Sequence, residues 1–158
     1  MPRVGIGYDS HRFAAGRRLV LGGVEIPAER GLEGHSDADV AAHALTDALL
    51  GAAGMGDIGE HFPPSDGRWR DADSIELLSA VVERLPGRAL NADLTLIAEA
   101  PQLGPHRAEI EGGLAAALGA PVSVKATTNE GMGWIGRGEG IACIAVAMVE
   151  LSAGQPGR

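Results

Sequence analysis

The stretch VGIGYDSH, residues 4–11, decides how the chain begins to fold. Val4, Ile6 and Tyr8 alternate with Gly5 and Gly7, a period of two that reads as a strand. The bare glycines on its other face let something approach the backbone closely. The strand is expected to end at Asp9. In an extended chain, residues two apart point to the same face, so the carboxylate of Asp9 and an imidazole nitrogen of His11 converge there.

Working outward, Arg18 to Leu21, the Gly22-Gly23 turn and Val24 to Pro27 read as a hairpin, followed by a loop from Ala28 to Gly34. Ser36 precedes a helix reaching about Ala53, and Ser36 with Asp39 has the spacing of a capping box. From Gly54 to Asp73 apolar periodicity is lost, over a length unusual for an idle connection in so small a domain, so this loop is expected to be functional. Ser74 is expected to cap a second helix that buries Ile75, Leu78, Val82 and Leu85 and closes at Pro86-Gly87. Ala92 to Ala98 reads as a strand, Pro101 to Pro105 as a turn, His106 to Leu118 as a helix and Pro121 to Thr127 as a strand. A Gly-rich loop, Asn129 to Glu139, leads into a final strand, Gly140 to Leu151, and a polar tail, Ser152 to Arg158, expected to fray. Strands and helices in this order define an α+β class, with one domain over residues 1–158.

Composition narrows the function. Thirteen Lys and Arg against 21 Asp and Glu give a net charge of −8, a poor electrostatic footprint for a nucleic-acid partner. A bound phosphate must therefore be gripped locally, by a metal, by backbone N–H groups or by a few chosen cations. One cysteine, Cys143, excludes an intramolecular disulfide and a cysteine-rich zinc module. No signal peptide is recognised at the start, and the longest apolar stretch, Ile141 to Val149, is half of what a membrane helix needs. No membrane partner and a cytoplasmic location are expected. Aromatic residues are only 3%, so Ala, Val, Leu and Ile must fill the core, helped by an oligomeric interface.

Four constellations carry chemistry. Asp9 and His11, joined by His43 from the first long helix, would hold a tetrahedral Zn²⁺ with one open position. Asp39 and Asp47, four residues to either side of His43, are candidates to orient its ring. The alternative is a turn at Asp9 and His11 beside a satisfied histidine. His35-Ser36 lies at a helix N-terminus, where free N–H groups attract anions, although Ser36 serves equally as a helix cap. Lys125 to Glu130 offers two hydroxyls and a carboxylate that suit phosphate oxygens and a hard cation, or merely a glycine-shaped hairpin. Asp57 in the 57–66 loop either binds a sugar hydroxyl or belongs to a solvated surface loop.

Taken together, GIGYDSHRF (5–13), LGGVEIP (21–27), GHSDADVAAHALTDALLGAAGMGDIGEHFPPSD (34–66), APQLGPH (100–106) and KATTNEGMGWIGRGEGIA (125–142) resemble the 2-C-methyl-D-erythritol 2,4-cyclodiphosphate synthase family of the non-mevalonate isoprenoid pathway. The resemblance implies a mixed four-stranded sheet with helices on one face and a small N-terminal hairpin, ferredoxin-like in arrangement and assembling as a homotrimer. It implies a metal-dependent phosphorus–oxygen lyase whose small-molecule substrate, 4-diphosphocytidyl-2-C-methyl-D-erythritol 2-phosphate, cyclises with release of CMP. By the same resemblance Asp9, His11 and His43 are zinc ligands, Glu130 holds a second divalent ion, Mg²⁺ or Mn²⁺, and His35 and Thr128 stabilise the transition state. Ser36 would hold a phosphate, and Asp57, Ile58, Gly59, Phe62, Pro63, Pro64, Ser65 and Asp66 would enclose the methylerythritol part. Ala98, Glu99, Ala100, Pro101, Gln102, Leu103 and Gly104, with Thr127 to Glu130, match the cytidine and diphosphate segments, and Trp134 and Arg137 match further substrate contacts. Active sites would lie between subunits, and some members of the family hold an isoprenoid diphosphate in a cavity on the trimer axis, for which Arg137 is a candidate contact. The chain departs from the usual pattern at Asn129 (commonly Thr), Trp134 (commonly Phe) and Ala38 (commonly Gly). Two rival functions remain: a zinc-dependent phosphoesterase, which would release the unclosed bisphosphate, and a catalytically silent trimer that binds cytidine nucleotides.

Overall fold

In the computed structural model, which describes residues 1–153, strand β1 (Pro2–Ala15) has two chemically different faces, one packed under a helix and one open. The chain continues through a hairpin of β2 (Leu19–Leu21) and β3 (Val24–Ile26), strand β4 (Arg30–Leu32), helices α1 (Val40–Ala53), α2 (Ile58–His61) and α3 (Ser74–Arg84), strand β5 (Gly87–Ile97), helix α4 (Arg107–Leu118), strand β6 (Val122–Thr127), the one-turn α5 (Gly133–Gly136) and strand β7 (Gly140–Leu151). Five strands form one mixed sheet in the order β4-β1-β7-β5-β6, with only β5 and β6 parallel, while β2 and β3 pair separately.

The glycine reading of the first strand is realised by α1, which packs across β1 and β7. A Cβ on Gly5 would lie 2.0 Å from the Ala48 carbonyl oxygen, and one on Gly7 would lie 1.9 Å from that of Ala44. Helix and strand therefore touch backbone to backbone, with alanines on the helix opposite glycines on the strand. Because α1 is also covered by α3, it is buried almost all round, from Val40 to Ala52. It ends at Gly54, whose φ of 69° is the left-handed conformation that glycine adopts without strain. Helix α4 packs against β6 and α3 and closes the layer.

The opposite face of the sheet is apolar and open around β1 and β7. Val4, Ile6 and Tyr8 are 61%, 71% and 55% exposed, and Val146 and Ile144 stand directly across from Ile6 and Tyr8. Toward β6 the same face becomes polar, with Lys125 paired to Asp93.

Several expectations are corrected. Strand β1 runs past Asp9 to Ala15, because Ser10 to Arg12 still pair with β7 and Phe13 to Ala15 pair with β4. Residues Arg30 to Leu32, expected as loop, form β4 and raise the sheet from four strands to five. Strand β5 starts at Gly87 rather than Ala92. Asp39, not Ser36, caps α1, accepting from the N–H groups of Ala41 and Ala42, and Asp73, not Ser74, caps α3. The loop from Gly54 to Asp73 contains α2 and a 3₁₀ turn, Gly67–Trp69. Of the tail expected to fray, Ser152 donates its N–H to Pro86, and residues 154–158 lie outside the described part. Among the described residues, no helix is long and apolar enough to cross a membrane.

Candidate metal centre and substrate cavities

The close contact of α1 with β1 sets the site. Gly5, Gly7, Asp9 and His11 share the helix-facing side of the strand, and His43 precedes Ala44, the residue that meets Gly7. One turn past the glycine contact, strand and helix bring Asp9, His11 and His43 together, with one donor atom of each within 4.8 Å of the others. Asp9 Oδ2 lies 2.9 Å from His11 Nε2 and 3.1 Å from His43 Nδ1, and the two ring nitrogens are 3.4 Å apart. Tetrahedral ligands at zinc bond lengths sit about 3.3 Å from one another, so the spacing fits such an ion. Three lone-pair atoms this close repel unless a cation or a proton lies among them.

The electrostatics of the group agree. Burial works against ionisation of Asp9, but hydrogen bonds from His11 and His43 outweigh it and hold the carboxyl below its ordinary range. Burial likewise lowers the basicity of His11, and the hydrogen bond and charge of Asp9 outweigh it and raise it. The Nδ1–H of His11 donates to the Glu33 carbonyl at 2.7 Å, so Nε2 is the nitrogen turned inward, the one whose lone pair an ion would take in place of a proton. Gly34 gives this ring room, since a Cβ there would stand 3.2 Å from it.

The donor group opens on a cavity of about 280 Å³ whose walls include His11, His35, Ser36, His43, Ile58, Gly59, Phe62 and Pro64. His35 is exposed, and its carbonyl is tied down by the Asp71 N–H at 2.7 Å. Ser36 is buried and its hydroxyl already accepts from the Ala38 N–H, at a residue whose φ is 56°. Asp57 caps α2 and Asp66 caps the 3₁₀ turn while pairing with Arg68, so both carboxylates shape the loop rather than face this cavity. Trp69 and Leu77 also line the cavity and were missed from the sequence. Trp69 stacks edge-on with Phe62 at 4.9 Å, and its indole N–H is buried with no partner among the described residues.

A second cavity, about 370 Å³, gathers Ala98, Glu99, Pro101, Gln102, Leu103, Gly104, Thr127 and Thr128, together with Arg107, which sequence reading did not single out. Ala100 faces a neighbouring hollow with Pro101. Glu99 organises the rim by accepting the N–H groups of Asn129 and Gly131, which brackets Glu130 at a φ of 53°. Glu130 is exposed and stands apart from the Asp9 group. Trp134 is exposed, and the Arg137 guanidinium pairs with Glu139 at 2.8 Å. Both cavities lie at one end of the sheet, since Asp9 and Leu96 both face Cys143 of β7 across the ladder. Two to three strand spacings, about 10–14 Å, separate them laterally.

Fold and site define an α+β protein with a histidine–carboxylate group that could hold a metal ion, beside a cavity. The chain belongs to the YgbB family, whose sequence model matches residues 2–150. It is 58% identical over 152 residues to the 2-C-methyl-D-erythritol 2,4-cyclodiphosphate synthase of Symbiobacterium thermophilum, covering 92% of this chain and 97% of the relative. Among solved structures it is similar to a 2C-methyl-D-erythritol-2,4-cyclodiphosphate synthase in a CDP-bound form, at TM-score 0.84 and 40% identity over 94% of this chain and all of the other. It is also similar to the bifunctional IspDF of Campylobacter jejuni, at TM-score 0.91 and 39% identity over 96% of this chain and 43% of that one.

Proposed function

We propose that the protein converts 4-diphosphocytidyl-2-C-methyl-D-erythritol 2-phosphate to 2-C-methyl-D-erythritol 2,4-cyclodiphosphate and CMP. An oxygen of the 2-phosphate attacks the β-phosphorus, and the bond from that phosphorus to the bridging oxygen of CMP breaks. The reaction is that of a phosphorus–oxygen lyase. Nucleophile and leaving group belong to one molecule, so the protein has to fold the substrate in line and neutralise charge. The observation that carries the reading is the convergence of Asp9, His11 and His43 on the wall of one cavity, in a chain of this family.

When bound, Zn²⁺ or another divalent transition metal at Asp9, His11 and His43 would supply a Lewis acid, and Mg²⁺ or Mn²⁺ at Glu130 would offset diphosphate charge. His35, on the cavity wall, donates to phosphoryl oxygens as their charge develops, and the Thr128 hydroxyl does the same from the second cavity. Ser36 holds a phosphate. Ile58, Gly59, Phe62 and Pro64 enclose the methylerythritol part, with Asp57, Pro63, Ser65 and Asp66 shaping the loop that carries them, while Ala98 to Gly104 and Thr127 to Asn129 hold the cytidine diphosphate end.

The reading includes a homotrimer with each site shared between subunits. Its supports are the open apolar face of β1 and β7 and the lateral separation of the two cavities within one chain. Trp134 and Arg137 complete the substrate contacts, and an isoprenoid diphosphate on the trimer axis would compete with Glu139 for Arg137. A single domain over 1–158, working in the cytoplasm, belongs to the same reading.

The test is ³¹P NMR of the purified protein with the cytidyl substrate, Zn²⁺ and Mg²⁺. Cyclic diphosphate accumulating in step with CMP is the expected result. Linear bisphosphate would replace the reading with a phosphoesterase, and unchanged substrate despite bound CMP would replace it with a binding protein.

A further inference from the structure

His43 uses both ring nitrogens. Nδ1 faces Asp9 and His11, while Nε2 lies 2.7 Å from the hydroxyl of Ser74, at the start of α3. Spacing along α1 points to Asp39 or Asp47 as the partner of this ring, but both are engaged elsewhere. Asp39 clamps the hairpin turn through the N–H groups of Gly22 and Gly23, and Asp47 accepts from the Ile58 N–H at 2.8 Å.

The hydrogens around Ser74 can be assigned. Its hydroxyl donates to Asp37 Oδ1, and its backbone N–H donates to Asp37 Oδ2 at 3.1 Å. Asp37 Oδ1 also accepts from the Asp39 N–H, so this carboxylate is surrounded by donors and acts as an acceptor. A serine hydroxyl has one proton. With that proton on Asp37, the Ser74 oxygen accepts from His43, which keeps a hydrogen on Nε2 and leaves Nδ1, facing Asp9 and His11, as the nitrogen whose lone pair an ion would take in place of a proton. Ser74 is fully buried, so water does not compete for this oxygen. The cap of α3 is provided by Asp73, so the Ser74 side chain is not needed there.

We infer that Ser74, held by Asp37, is a positioning residue for the metal centre: it fixes the tautomer and orientation of His43 that present Nδ1 to the ion. The inference rests on the metal reading given above. Ser36 is the lesser partner, with its hydroxyl 3.2 Å from the same nitrogen.

The experiment strips metal from the assembled protein and titrates Zn²⁺ against a chromophoric chelator, for wild type, Ser74→Ala and Asp37→Asn. The visible spectrum of the Co²⁺-loaded proteins and the melting temperature of the metal-free proteins are recorded alongside. Losing such a partner typically weakens metal binding 10–100-fold. Ser74→Ala is expected within that range, with a shifted Co²⁺ spectrum and a metal-free melting temperature close to wild type, and Asp37→Asn is expected to show a smaller loss in the same direction. Wild-type affinity and an unchanged spectrum in both variants would overturn the inference while leaving the metal reading intact. A wild type that takes up no Zn²⁺ would overturn the metal reading itself, and the inference with it. If Ser74→Ala does not fold, Asp37→Asn decides by the same two outcomes.

Discussion

The two faces of the central sheet solve opposite problems. On the helix side, Gly5 and Gly7 remove their own side chains so that α1 can rest on the strand backbone. On the other side, Val4, Ile6 and Tyr8 stand in the open with Ile144 and Val146 beside them. In an ordinary half-buried strand the large apolar residues face the core and the small or polar ones face water. Here the order is reversed: the small-residue face lets the helix approach the strand, and the large-residue face stays open. Closeness is what the metal group needs, because His43 reaches Asp9 and His11 only if helix and strand touch.

The comparison can be broken most severely at Gly7. Gly7→Val places a branched side chain where even a Cβ meets a helix carbonyl, and overpacking of this kind costs about 3 kcal/mol at the top of its usual range. The expected outcome in urea denaturation is a large loss of stability, together with loss of metal binding in whatever protein remains folded. The second largest effect is on the open face. Ile6→Asp should leave the stability of an isolated subunit within about 0.5 kcal/mol, as exposed substitutions do. Association, measured by sedimentation, should weaken by about 2 kcal/mol or more if Ile6 sits at the centre of an interface. Val146→Thr, a polar replacement of nearly the same shape, sharpens the point with an expected loss of association of about 1 kcal/mol and an unchanged subunit. The smallest effect belongs to the turn that leads into α1. Ala38 has a φ of 56°, a conformation costing a side-chain-bearing residue about 1–2 kcal/mol that glycine avoids at some cost in chain entropy. Ala38→Gly should therefore raise stability by a few tenths to about 1 kcal/mol, read as a small rise in melting temperature.

Much of this is legible in the sequence alone. The alternation in VGIGYDSH fixed both the strand and its bare face, and Asp9-x-His11 with His43 on the following helix predicted the cluster that the fold assembles. What escaped is instructive. Residues Arg30 to Leu32 look like loop because a three-residue edge strand has no pattern of its own and is defined by its partner, β1. Ser36 and Asp39 are both good helix caps, and the choice fell to Asp39 because its carboxylate also takes two N–H groups from a hairpin turn distant in sequence. Spacing along α1 named Asp39 and Asp47 as partners of His43, yet a helix stripe is silent about what a neighbouring helix brings. Ser74 looked like a cap and is instead the residue against the ring.

The position of β7 carries a consequence for the time course of folding. It lies between β1 and β5, pairing Pro2 with Glu150 on one side and Gly87 with Leu151 on the other, and those two neighbours do not pair with each other. The middle of the sheet therefore closes only when the two ends of the described chain meet, the longest loop closure the topology offers, and long-range pairing of this kind is slow. Until then β1 and β5 each present an unpaired edge at what will become the centre of the molecule, and one of them carries the apolar row of Val4, Ile6 and Tyr8. A nascent or truncated chain without β7 is thus the species most exposed to aggregation, and the seam that a chaperone would have to guard runs along the two strands awaiting their last partner.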